Sequence, residues 1–184
     1  MRVAGNTPDW RVVEDLGIGL TTALYARDAL GLRGNDLSLA VPPLAPAVNV
    51  TPSTAEPDLT EPWNRWFAAL LTDESAVPAD DALRAALERL VPRAAEWIGT
   101  QKAVVVQRTF LRSEVRRMVG ELFRPVMARA ELTEDIEFRI DVIPLAADWW
   151  TVSGRRVALS ESVRRNPRQL AVALEPLLRP FRQA

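Results

Sequence analysis

Between Ile136 and Val142 the side chains alternate, with Ile136, Phe138, Ile140 and Val142 on one side and Glu137, Arg139 and Asp141 on the other. A period of two is the pattern of a strand with one buried face, and a helix cannot use it. Pro144 ends the run, because a residue without an N–H interrupts a ladder. Two further β-rich runs follow, Trp149-Trp150-Thr151-Val152 and Val157-Ala158-Leu159, with Ser153-Gly154 between them as a hairpin signal. The expected core is therefore three antiparallel strands. Lys102-Ala103-Val104-Val105-Val106-Gln107 is a candidate fourth, since its β-branched valines suit a buried strand.

Helical spacing accounts for most of the remainder. Thr7-Pro8-Asp9 resembles a helix start, and Trp10, Val13, Leu16, Leu20 and Leu24 recur at spacings of three and four. This predicts one amphipathic helix as far as Leu30, weakened by Gly17 and Gly19. Those glycines allow either close approach of another element or phosphate binding. The phosphate reading is the poorer one, because no strand is expected before them and the rest of the dinucleotide or P-loop pattern is missing.

Further helices are expected at 63–72, from Asp80 or Asp81 onward with a break at Pro92, over 111–132, and from Asn166-Pro167 to Leu178. The 111–132 helix carries Arg112 and Arg116 in a four-residue repeat with Arg108, a hint of phosphate contact. The fold class expected is α+β. A helical N-terminal half, 1–100, packs beside a small antiparallel sheet of three to four strands in 101–184, covered by two helices, the whole forming one unit.

The segment 31–58 has a different character. It holds Pro42, Pro43, Pro46, Pro52 and Pro57, and no charge stands between Asp36 and Glu56. Leu37, Leu39, Val41, Leu44 and Val48 are too apolar for a solvated linker, so this arm either covers its own domain or docks on a partner. Trp63 and Trp66 give the next helix an aromatic face, which reads as core or as an interface anchor.

Absences constrain the chemistry. The chain of 184 residues has no histidine and no cysteine, which removes Cys/His zinc sites, thiol nucleophiles, disulfides and Ser-His-Asp arrangements. Catalysis would have to use carboxylates, arginine, hydroxyls, Tyr25 or Lys102, and no pattern calls for a cofactor. Glu137 and Asp141, on one strand face, are a candidate divalent-cation pair. The simpler reading is a solvated face on which Arg139 pairs with its neighbours.

The net charge of −1 hides an asymmetry: 8 basic against 14 acidic residues through Thr100, and 15 against 10 thereafter. Arg155, Arg156, Arg164, Arg165 and Arg168 cluster around the start of the last helix. Cations there oppose the helix dipole unless an anion intervenes, which makes these five the candidate site for a phosphate-bearing ligand.

The leading expectation is a non-catalytic interaction or assembly protein, with a self or foreign protein partner. Its contact residues would be Leu37, Leu39, Val41, Leu44, Val48, Trp63 and Trp66. The alternatives are a phosphate, nucleotide or nucleic-acid binding module using the five arginines, and a metal-carboxylate enzyme. Without an apolar leader or a spanning segment, a cytoplasmic protein with no membrane contact is expected.

Overall fold

The strand beginning at Ile136 is the centre of the sheet. A computed structural model describes residues 10–32, 40–48, 58–109 and 135–181. Its elements, in chain order, are β1 (Trp10–Asp15), α1 (Ile18–Leu30), α2 (Thr60–Thr72), α3 (Asp81–Thr109), β2 (Ile136–Ile143), β3 (Trp150–Ser153), β4 (Arg156–Ser160), α4 (Glu161–Arg165) and α5 (Pro167–Leu178). The fold is α+β, with an open, mixed four-stranded sheet in the order β1-β2-β4-β3.

The sheet is not the antiparallel one expected. β1 runs parallel to β2, with Trp10 facing Ile136 and Asp15 facing Asp141, and β2 runs parallel to β4, with Arg139 facing Arg156. Only β3 and β4 are antiparallel, joined by a two-residue turn at Gly154-Arg155 in which Gly154 takes a positive φ of 56°. After Pro144 the chain leaves the sheet. Leu145 forms a bridge with Leu44, so the hairpin returns with β4, not β3, beside β2.

Two helical expectations also need correction. The single helix expected up to Leu30 is divided: Trp10–Asp15 is a strand, Gly17 breaks the chain in the left-handed region at φ 50°, and only Ile18–Leu30 is helical. Trp10, Val12 and Val13 are good strand formers, and pairing with β2 outweighs their helical spacing. Conversely, 102–107 is not a strand but the end of α3, which also passes through Pro92 without splitting. A β-branched residue costs a helix only about 0.5 kcal/mol relative to alanine, and propagating an existing helix adds one hydrogen bond per residue. The expected 111–132 helix, with Arg112 and Arg116, lies outside the described residues.

Each face of the sheet has its own core. Ile136, Phe138, Ile140 and Val142 of β2, with Val157 and Leu159 of β4, bury against Val163 of α4 and Leu170, Ala173, Leu174, Leu177 and Leu178 of α5. On the other face Ile143, Leu145 and Ala158 join a second core supplied by α1, α2, α3, Val41 and Leu44. Burying each of these larger side chains contributes about 1.5–3 kcal/mol. Asn166 caps α5 as its sequence suggested, its side chain accepting from the N–H groups of Arg168 and Gln169.

Candidate interaction surfaces

The charged face of β2 is built into the fold. Asp141 is fully buried and accepts from two guanidinium groups, Arg139 at 3.1 Å and Arg156. Arg139 also pairs with Asp15 at 3.0 Å and with Glu74, while Arg156 donates to the Leu70 carbonyl at 2.7 Å. The network thus joins the ends of β1 and β2 to β4 and to the C-terminal end of α2. Burial works to lower the pKa of Arg139, but Asp141, Glu74 and Asp15 outweigh it and hold that pKa above its ordinary value. Glu137, by contrast, stands in solvent beside Arg11. The two carboxylates of the candidate cation pair therefore have separate partners. Among the described residues no group of three or more acids is arranged to hold a metal.

Gly17 sits directly against this network. A Cβ there would lie 3.0 Å from Asp141 Cβ, and one on Gly19 would lie 3.4 Å from Leu70 Cδ2. Both glycines serve close approach. The strand that the sequence did not promise in front of them does exist, and α1 begins at its C-terminal end, a placement used for phosphates elsewhere. Here that position faces the buried Asp141 carboxylate, which is already matched by Arg139 and Arg156.

The five arginines are dispersed over different tasks. Arg156 belongs to the Asp141 network. Arg164 makes a two-pronged pair with Glu14, linking α4 to β1, and Arg165 pairs with Glu161 one turn earlier. Arg164 and Arg165 close the last turn of α4, where cations suit the helix dipole. Arg155 forms part of the hairpin turn, its carbonyl accepting from Arg139 N–H at 2.9 Å. Arg168 lies in the first turn of α5, where Asn166 already accepts from two N–H groups.

The described part of the arm is fastened to its own domain. Arg27, itself buried, donates to the carbonyls of Val41 at 2.6 Å and Pro42 at 2.9 Å, and Asp28 accepts from Leu44 N–H. Two backbone bonds, Ala45 to Pro144 and Ala146 to Pro43, complete the seam. Val41 and Leu44 are buried and Val48 packs on the same core. Leu37 and Leu39 lie outside the described residues.

Trp63 is fully buried, stacked on Phe67 with ring centroids 4.8 Å apart, and its Nε1 donates to the Ala23 carbonyl. Trp66 belongs to the same core, with 9% of its surface exposed. Its Nε1 donates to the Ala76 carbonyl at 2.9 Å, fixing the ring against the α2–α3 connection, where it lines a cleft of about 320 Å³ with Pro62, Arg65, Ala69, Val77, Ala79 and Asp80. Val77 is 79% exposed, the most exposed large apolar side chain among the described residues. The cleft's polar members are already engaged, Arg65 with Glu61 and Asp80 with Leu83 N–H. A chain with no recognisable motif offered no sequence signal for this cleft, since Val77 sits in a connection without periodicity.

No helix among the described residues is long and apolar enough to cross a membrane. Comparison with protein-family models, with curated proteins and with solved structures returns no match in any of the three.

Proposed function

We propose that the protein is a non-catalytic interaction and assembly module that receives an apolar side chain of a protein partner in the cleft beside Trp66. The carrying observation is the exposure of Val77 next to a ring held in place by its own hydrogen bond. An aromatic side chain fixed beforehand loses little entropy on binding, which is why tryptophan is frequent among interface anchors. The surrounding chemistry supports the same reading: an apolar lining whose charged members already have partners suits contact better than turnover. Leu37 and Leu39, in the uncharged stretch of the arm, are proposed as further contact residues.

Deleting the arm would remove Val41 and Leu44 from the core and so would measure folding, not binding. A photo-crosslinking residue at Val77 avoids that difficulty. In the source lysate it is expected to capture a protein partner, whereas the same residue at Val172, exposed on α5 beyond the opposite face of the sheet, captures none. Equal capture at both positions, or none at Val77, would reject the proposal.

A further inference from the structure

Among the described residues β1 has a neighbour on one side only, so its outer edge presents unpaired backbone groups, a natural template for another strand. Its residues are graded in charge, Arg11 near the start and Glu14-Asp15 at the end, around Val12 and Val13. Arg11 and Val13 are exposed, Val13 by 38%. The geometry points to a second copy of this chain as the occupant of that edge, paired antiparallel with β1 about a two-fold axis through Val13.

The register follows from symmetry. A closed pair of identical strands needs a two-fold perpendicular to the sheet, and facing side chains must then lie on the same side. This excludes any axis between two residues, which would set opposite faces against each other. An axis at Arg11 faces Arg11 with itself, one at Glu14 faces Glu14 with itself, and one at Val12 sets Arg11 against Val13. Only an axis at Val13 places Arg11 opposite Asp15 of the second copy, twice, with the two exposed valines meeting at the centre; Val12 then faces Glu14, whose charge is already matched by Arg164.

The surrounding charges continue the pattern. Arg11 lies beside Glu137 on β2 and would gain the second copy's Asp15 on its other side, while that Asp15 keeps its own Arg139. Across the joined sheet that row reads Glu137, Arg11, Asp15 and Asp141, the last two being matched by Arg139 and Arg156. The pairing uses no residue of the Trp66 cleft, so it stands or falls independently of what that cleft binds.

Sedimentation of the full-length chain tests this through a charge exchange. The wild type is expected to form a dimer. Arg11→Glu alone and Asp15→Lys alone each create two like-charge contacts, and each is expected to weaken self-association roughly tenfold or more. Mixed together, the two variants are expected to re-form a dimer, because both facing pairs become complementary again. A monomeric wild type, an undiminished Arg11→Glu dimer, or a mixture that stays monomeric would overturn the inference. Asp15 also supports the fold through Arg139, so Val13→Asp, which sets two carboxylates together on the axis, provides a second route. It too should be monomeric while melting like the wild type, and a persistent Val13→Asp dimer would equally overturn the pairing.

Discussion

Asp141 holds two arginines of the sheet in place from a position with no solvent exposure, and its environment decides what any change there would do. Removing the carboxylate leaves Arg156, itself 14% exposed, and Arg139 with partly uncompensated charge. Breaking a buried pair by deleting one partner costs about 3–5 kcal/mol. Asp141→Ala is therefore expected to lower unfolding stability by an amount in that range, measured by urea titration. A loss below about 1 kcal/mol would mean that the network carries little of the fold's energy. The pairing of Arg164 with Glu14 yields a related expectation. Arg164→Ala should detach α4 from β1 and lower stability by about 1 kcal/mol, the scale of a partly exposed two-pronged pair. Titration with inorganic phosphate should at the same time show no difference from the wild type; a phosphate affinity that disappears with Arg164 would favour the anion-binding reading instead.

At the scale of elements, α3 is the least expected. It continues through Pro92, whose ring removes one backbone hydrogen bond and crowds the preceding turn, a cost of about 3 kcal/mol in a helix interior. Pro92 is exposed, so Pro92→Ala changes the helix and little else. It is expected to raise the melting temperature, with a gain of about 1–3 kcal/mol by denaturant titration; unchanged or lowered stability would mean that the helix is adapted to the proline. The same helix shows where sequence pattern stops being informative. Asn166 and Pro167 identified α5, and strict alternation identified β2, because in both cases local chemistry and tertiary packing agree. In Trp10–Asp15 they disagree: its residues fit a helix by spacing and a strand by type, and the deciding partner is β2, far away in sequence. In 102–107 the valines favour a strand, but the helix arriving from Asp81 prevails. The direction of β4 was equally invisible, since it depends on the path taken by 144–149 around the arm at Leu44. Of the candidate contact residues, Trp66 was legible as an aromatic on a helix face; its cleft was not, because Val77 and Ala79 reach it from an irregular connection.

For the whole molecule, acid is the simplest probe. The carboxyl of Asp73 is held below its ordinary value of 3.8 by the hydroxyl and N–H of Ser75, that of Asp58 by Thr60, and that of Asp148 by Ser162 and Gln169. A pKa depressed in the folded state contributes stability that is present above the unfolded value and lost as pH falls through the folded one. The urea midpoint should thus hold steady down to about pH 5 and decline as the pH passes below 3.8, and replacing all three aspartates with asparagine should flatten that decline. An acid limb unaltered by the triple change would assign it to other carboxylates. The function proposed for the molecule is association. The most direct measurement is the native mass of the intact chain drawn from its source lysate at low salt, with Val77→Arg run beside the wild type. A heteromeric assembly for the wild type, reduced in Val77→Arg to the bare chain or its dimer, is the result expected of an interaction module acting through the Trp66 cleft. A wild type that carries no foreign protein, or an assembly that survives Val77→Arg unchanged, would contradict it.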